Sequence, residues 1–271
     1  MSFVLQHIRD NLWSGRLDIF PEDRMVHGFS ARQGGVSPAP FDTLNMALHV
    51  GDDPAHVREN RRRYLAALGL DAERICTIRQ VHGTEIVRAT RRDAGRGAWD
   101  YDDALADADA IITNDSGVPL MLCYADCVPV LLYDPVHHAA GVVHAGWKGT
   151  VQRISAQTIV HMGEEFGTAP SDVLAGIGPS IGAGCYTVGT EVAERFRAAF
   201  PAHAEKIVQE RDGEIHLDLW TANHVQITET GVLEENIDHA DICTSCDRSF
   251  FYSYRGAGGR TGRLAAVMEL R

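Results

Sequence analysis

The stretch CYADCVPVLLYDPVHHAAGVVHAGWKG, residues 123–149, contains two short apolar runs that end beside reactive side chains. The runs VPVLLYD and AAGVVHA are too short for helices and are separated only by PVHH, so they predict a β-hairpin. Cys127 precedes the first run and His144 lies near the end of the second, so strand pairing would bring the two together. From these residues alone, three interpretations stay open: a metal site, a cysteine nucleophile with its base, and two core side chains.

Outward from the hairpin, strands and helices intermingle without an internal repeat, which predicts one mixed α+β domain over residues 1–271. Helical patterns cover 53–70, 149–167, 189–200 (with Thr190 as the cap) and 217–231. Strand patterns cover 75–90 (around a turn at His82-Gly83), 110–113, 173–182, 250–256 and 263–270.

The composition excludes several classes of protein. The 271 residues include 37 acidic and 25 basic side chains, a net charge of −12, so the chain has no overall attraction for nucleic acid or anionic lipid. No apolar run reaches the roughly 18 residues of a membrane span, and the N-terminus lacks the pattern of a secretory signal. The 6 cysteines are scattered, which favours a reducing compartment, and we expect a cytoplasmic protein.

Three blocks each place a metal-binding donor where a strand gives way to a loop: RQVHG with His82, YADCVP with Cys127, and VVHAGWKG with His144. Two imidazoles and a thiolate suit a catalytic zinc with an open fourth position, although the spacing alone is weak evidence. The CTSC stretch at 243–246 matches C-x-x-C, but no second pair accompanies it, which argues against a zinc ribbon or a thioredoxin.

Taken together, the motifs resemble a family named for a laccase (polyphenol oxidoreductase) domain, whose members are identified as purine nucleoside phosphorylases. The matching blocks are FSARQGGVS (29–37), LNMALHVGDD (44–53), RQVHG (79–83), ADAIIT (108–113), ADCVPVLL (125–132), HAGWKG (144–149), GIGPSIGAGCYTVG (176–189) and FFYSYRGAGGRTGR (250–263). They cover nearly the whole chain, and ADC-P followed by HAGWKG is the most specific pair.

The resemblance implies a four-layer αββα protein built on two mixed sheets. It also implies a metal, usually zinc with copper as the alternative, held by His82, Cys127 and His144, which are then the catalytic residues as well. The implied reaction is phosphorolysis of adenosine, inosine and S-methyl-5′-thioadenosine, together with adenosine deamination. The implied partners are therefore purine nucleosides and phosphate, and we expect a monomer or weak dimer.

Three other interpretations stay open. A copper-dependent polyphenol oxidase is disfavoured because a multicopper mechanism needs paired H-x-H motifs, and none occurs in this sequence. A Cys127–His144 hydrolase predicts activity that survives chelation. A non-enzymatic partner protein would have no need for the intact ligand set.

Phosphorolysis also requires groups that hold phosphate beside the sugar and groups that bind the nucleoside. We assign the phosphate to Arg32 and Arg61, with the Gly34-Gly35 backbone as an additional anion site. Ser30, Asn45 and Gln80 lie in the motif blocks and are assigned to hydrogen bonds with ribose or base.

Overall fold

The computed structural model describes residues 3–271. Its helices and strands, in chain order, are β1 (Phe3–Arg9), β2 (Leu12–Leu17), β3 (Met25–Ser30), α1 (Pro54–Ala67), β4 (Ile86–Arg88), β5 (Ala110–Thr113), β6 (Leu120–Tyr124), β7 (Val128–Asp134), β8 (Ala139–Ala145), α2 (Trp147–Val151), α3 (Ile154–Phe166), β9 (Leu174–Ile177), α4 (Thr190–Ala199), α5 (Ala204–Ile207), β10 (Val208–Arg211), β11 (Glu214–Leu217), α6 (Leu219–Thr228), β12 (Ile237–His239) and β13 (Leu264–Leu270).

Two large sheets form the centre of the molecule. One is five-stranded, in the order β1-β2-β3-β13-β6, and is antiparallel at every pairing. The other is six-stranded, in the order β12-β9-β7-β8-β5-β4, and is mixed: parallel at both edges and antiparallel between them. The predicted hairpin is confirmed as β7 and β8, which pair from Val128↔Ala145 to Asp134↔Ala139.

Three hydrophobic cores show how the layers stack. Side chains alternate across a strand, so β7 sends Leu131 and Tyr133 into a core between the two sheets and Val130 and Leu132 into a core with the helices. Helices α3, α4 and α6 cover that outer face of the six-stranded sheet. On the opposite side of the molecule, α1 packs its Tyr64 and Leu65 against β6 and β13 of the five-stranded sheet. The fold class predicted above, a single α+β domain with αββα layers, is confirmed.

The helix predicted over 149–167 is divided in two, because Arg153 adopts a left-handed conformation (φ 70°) between α2 and α3. The predicted Thr190 cap is wrong: Gly189 occupies the cap position of α4 without a side-chain bond, and Thr190 is the first helical residue.

Within the described residues 3–271, two predicted strands do not form: the one over 250–256 and the part of 75–90 that precedes His82. Residues 250–256 form turns, because the buried Phe251 and Tyr252 pack into the core there without strand pairing. The segment before His82 contributes only isolated bridges, at Cys76 and Arg79, so a strand forms only at Ile86–Arg88.

Candidate metal centre and adjoining cavities

The hairpin brings two of the predicted ligands together. Pro129 pairs with His144 across β7 and β8, which places Cys127, two residues earlier, beside the end of β8. His82 reaches the same point from the loop before β4. Ligand atoms of all three side chains lie within 4.8 Å of one another. The rings of His82 and His144 are 4.9 Å apart between centroids.

Asp109, just before β5, fixes the orientation of this cluster. Its Oδ1 lies 2.8 Å from His144 Nδ1, which leaves Nε2 as the free donor atom of that ring. Its Oδ2 accepts the backbone N–H groups of Gly83 at 2.5 Å and Val81 at 3.2 Å. One buried carboxylate therefore holds both the ring of one ligand and the loop that carries another.

The charges of the cluster favour a cation. Burial lowers the pKa of His144, but Cys127 and Asp109 more than offset this effect and raise it to about 9. Burial alone would raise the pKa of Asp109, yet its bonds to His144 and to the loop amides lower it. A buried anion beside an imidazole attracts a proton or, in its place, a metal ion.

Gly146, directly after β8, leaves room for an ion. A Cβ at this position would lie 3.1 Å from Cys127 Sγ and 3.3 Å from His82 Nδ1. His144 is buried, Cys127 is half-buried and His82 is exposed, so the cluster opens to one side. Two imidazoles and one thiolate with an open position suit zinc and also suit copper. The residues therefore fit the metal that the sequence implied.

A first cavity of about 260 Å³ adjoins the cluster. Its apolar wall consists of Trp147, Ile181, Tyr186 and Leu219. Lys148 and Arg255 add positive charge at its edge, and no acidic side chain except Asp126 lines it. Such a wall suits a flat, uncharged ring system that gains negative charge during a reaction.

A second cavity, of about 310 Å³, shares His82, Ala125, Cys127 and Tyr254 with the first. Its own lining includes His144, Gln80, His49 and Arg263. Burial lowers the pKa of His49 to about 4, and the neighbouring charge of Arg263 contributes to that shift. The Arg263 guanidinium in the lining gives this cavity positive charge, which favours an anion.

The family described as multi-copper polyphenol oxidoreductase laccase matches residues 26–271. The chain belongs to this family. Among the described residues 3–271, the side chains that could ligate a metal form two clusters of three, one of which is His82, Cys127 and His144.

Relatives of this laccase-family member are named purine nucleoside phosphorylases. The purine nucleoside phosphorylase YlmD of Bacillus subtilis is 39% identical over 248 residues, 91% of this chain and 89% of its own length. A purine nucleoside phosphorylase of Deinococcus radiodurans is 40% identical over 250 residues, 92% of this chain and 91% of its own length. The crystal structure of YlmD from Geobacillus stearothermophilus superposes with a TM-score of 0.94 at 37% identity, covering 99% of each chain. In the described part of the chain, no helix has the length and apolar character to cross a membrane.

Several residues that the sequence assigned to substrate lie behind the cavity walls of this laccase-family member. Ser30 is buried, and its hydroxyl accepts the N–H of Ala265 at 2.8 Å. Asn45 is also buried, and its Oδ1 accepts the N–H groups of Ala47 and Arg263, at 3.1 and 2.9 Å. Asn45 thereby positions the backbone of an arginine that does face the second cavity.

The two predicted phosphate arginines are bonded elsewhere. Arg32 donates to the carbonyl and carboxylate of Asp42 and to the carbonyl of Arg248, and it stacks on the Tyr252 ring. Arg61 is buried and donates to carbonyl oxygens of Met46 and of residues 97–98. Neither lines a cavity at the metal cluster, although the charge of the buried Arg61 acts on His49 and Cys123, which line the second cavity.

Gln80 lines the second cavity but has a structural bond as well. Its side-chain amide exchanges two hydrogen bonds with the backbone of Cys123, at 2.7 and 2.9 Å. This pair ties the His82 loop to β6. The amide therefore reaches the cavity in a fixed orientation.

Sequence reasoning did not select Asp109, His49, Tyr254, Arg255 or Arg263 as site residues. All of them lie inside the quoted motif blocks, which was the available signal. Asp126 forms the turn before β7 with φ 81°. Its carboxylate accepts the Thr244 hydroxyl at 2.8 Å and the Arg255 N–H at 2.6 Å.

Proposed function

We propose that this protein is a metal-dependent purine nucleoside phosphorylase. Its substrates are adenosine, inosine and S-methyl-5′-thioadenosine, which it cleaves with phosphate to the free base and the (methylthio)ribose 1-phosphate. One observation carries the proposal: two residues of the cluster, His82 and Cys127, line both an aromatic cavity and a cationic one. A phosphorolytic site has to hold a purine and a phosphate on either side of one sugar carbon.

The cationic cavity is the proposed phosphate site. Arg263 lines it, is held in place by Asn45, and lies with its guanidinium 5.3 Å from the Tyr254 ring centroid. A guanidinium offers several donors in a fixed plane, which suits phosphate oxygens. Neutral His49 adds a hydrogen-bonding group to the same wall. This assignment replaces Arg32 and Arg61 with Arg263 as the phosphate ligand.

The aromatic cavity is the proposed purine site. Phosphorolysis joins a phosphate oxygen to C1′ and breaks the C1′–N9 bond, whose electron pair passes to the purine. Trp147 and Tyr186 provide faces for the ring, and the positive charges of Lys148 and Arg255 stabilise the leaving base. The two cavities together fall within the roughly 300–1,000 Å³ of ordinary small-molecule sites.

We assign zinc to the cluster, with His82, Cys127 and His144 as its ligands. Zinc would supply a Lewis acid and a bound water of lowered pKa, the chemistry that adenosine deamination at C6 requires. In the protein itself, Asp109 keeps His144 in the tautomer that presents Nε2 to the metal. The half-open side of the cluster gives substrate access to it.

The test measures metal and product on one sample. Purified protein is assayed for metal content, then incubated with inosine with and without phosphate while hypoxanthine is followed by chromatography. We expect about one zinc at this centre and strictly phosphate-dependent hypoxanthine. The variant His82→Ala should lose both, whereas His161→Ala, a histidine on α3 outside both cavities, should keep both.

Three further measurements on the same purified protein separate the rival activities: oxygen uptake with a phenol, chelation and alkylation. Copper in the protein with oxygen uptake on a phenol would establish the oxidase instead. An activity that resists chelation but is lost on alkylation would establish a Cys127 hydrolase. Metal-loaded protein that forms no hypoxanthine from inosine and phosphate would refute the phosphorylase.

A further inference from the structure

A second cluster of sulfur atoms lies outside the centre described above. The Sγ atoms of Cys185, Cys243 and Cys246 all lie within 4.8 Å of one another. Cys185 Sγ and Cys246 Sγ are 3.3 Å apart. The CTSC motif thus acquires a third thiol from a segment about 60 residues away in the chain, which sequence spacing could not reveal.

Backbone pairing holds the two segments in register. Ser180 and Cys243 form a parallel bridge, in which the Ser180 N–H donates to Ile242 and the Thr244 N–H donates to Ser180. Cys185 then closes a tight turn by donating its N–H to the carbonyl of Gly182 at 2.9 Å. The three thiols therefore meet through main-chain geometry, and their approach does not depend on flexible side chains alone.

The environment of Cys243 is that of a thiolate ligand. The N–H of Gly182 donates to Cys243 Sγ at 3.2 Å. The N–H of Cys246 donates to the carbonyl of Cys243 at 3.1 Å, which closes the turn that carries both thiols. A neutral thiol is a weak acceptor, whereas a metal-bound thiolate is stabilised by such a backbone donor.

We propose that Cys185, Cys243 and Cys246 form a second, structural zinc site. Tetrahedral zinc with Zn–S bonds of about 2.3 Å separates its sulfur ligands by about 3.8 Å, which lies between the observed 3.3 Å pair and the 4.8 Å limit of the cluster. Cys246 is exposed, so a water molecule would have access to the fourth position. A disulfide would use only two of the three sulfurs, whereas one zinc ion accounts for the approach of all three.

The proposed ion would lie between two segments that lead to the lining of the first cavity. The Cys185 turn is followed by Tyr186, and the Cys243–Cys246 turn leads to Arg255, and both of these residues line the first cavity. Asp126 also binds this second segment, through Thr244 and the Arg255 N–H. A zinc ion would therefore fasten two walls of the cavity to each other. This proposal stands whether or not the cavity binds a purine.

Metal counting tests the proposal directly. We expect about two zinc ions per chain in the wild-type protein and about one in Cys246→Ser, which changes one exposed sulfur to oxygen. Ser245→Ala, between the two thiols of the motif, is the matched control and should keep the wild-type count. A second measurement uses cobalt in Cys127→Ala, where the remaining ion should show the strong sulfur-to-cobalt charge-transfer absorption of several thiolates.

Two results would overturn the proposal. One is a Cys246→Ser protein that folds and holds as much zinc as the wild type. The other is a freshly purified wild-type protein whose mass and thiol titration show a Cys185–Cys246 or Cys243–Cys246 disulfide and a single zinc. Because these measurements count metal and thiols, failure of the phosphorylase assay would not affect them.

Discussion

Asp109→Asn is the most informative single change at the metal centre. The carboxylate accepts hydrogen bonds on both oxygens, from His144 at 2.8 Å on one side and from Gly83 and Val81 at 2.5 and 3.2 Å on the other. Asparagine has nearly the same shape but only one accepting oxygen. Its NH₂ group must therefore face either the histidine ring or the loop amides, and one ligand loses its support.

The expected loss of metal affinity can be taken from other metal sites in which the hydrogen-bond partner of a ligand was removed. Loss of a hydrogen-bonded partner behind a metal ligand weakens metal binding about 10–100-fold, equivalent to about 1.4–2.7 kcal/mol. We expect the zinc affinity of Asp109→Asn to fall by this factor and the phosphate-dependent rate to fall with it. The measurement is competition for zinc with a coloured chelator, alongside the rise in Tm that added zinc produces.

Asp107→Asn is the matched control, because it makes the same chemical change two residues away at an exposed carboxylate paired with Arg79. Surface ion pairs contribute about 0–1 kcal/mol, so zinc affinity in this variant should equal that of the wild type. If Asp109→Asn bound zinc within twofold of the wild type while its metal-free form was merely less stable, the positioning role of Asp109 would be refuted.

Three further predictions concern other residues. Gly146→Ala would place a Cβ 3.1 and 3.3 Å from two ligand atoms, so the zinc content of this variant should drop by most of one equivalent. Gly189→Ala, whose Cβ would meet nothing within 4 Å, should keep the wild-type zinc content. Arg263→Gln should raise the KM for phosphate about tenfold with little change in the KM for inosine. Arg260→Gln, at an exposed arginine nearby in the sequence, should change neither KM. Equal rises in both KM values of Arg263→Gln would count against a phosphate role. Burial lowers the pKa of His27 from 6.5 to about 4, so the unfolded chain binds this proton at a higher pH than the folded chain does. The free energy of unfolding of the wild type should therefore fall by up to about 3 kcal/mol as the pH drops from 6.5 to about 4. Urea unfolding at pH 7 and near pH 4.5 should show a smaller decrease for His27→Gln than for the wild type. An equal decrease in both proteins would exclude His27 as the source.

The hairpin and its two reactive residues could be predicted because both signals are local. Strand length, the PVHH turn and the flanking small residues all lie within 27 positions of one another. His82 was reached differently, through the RQVHG motif, since nothing in its immediate sequence indicates that it meets the hairpin. The structure brings all three to one point, in agreement with the ligand set that the resemblance implied.

The substrate residues were harder to predict for a physical reason. A motif marks a position that the fold or the chemistry requires, and it does not distinguish the two. Asn45 illustrates this, because its amide supports the backbone of Arg263, which is the residue that faces the cavity. Arg61 likewise lies in a basic run of the sequence and could bind a phosphate there. In the structure it is buried, and its guanidinium donates to three backbone carbonyls instead. Such roles depend on contacts across the fold.

The location of the centre follows from how the two sheets are connected. β6 belongs to the five-stranded sheet and β7 to the six-stranded one, yet only residues 125–127 join them. Sheets that pack face to face lie about 10 Å apart, so the chain has to turn sharply, and Asp126 does so with φ 81°. Cys127 is the last residue of this crossing, and the carboxylate of Asp126 holds the Thr244 and Arg255 segments against it. The ligand is therefore positioned by the packing of the sheets themselves, which is why a loop residue can be held rigidly enough to bind a metal.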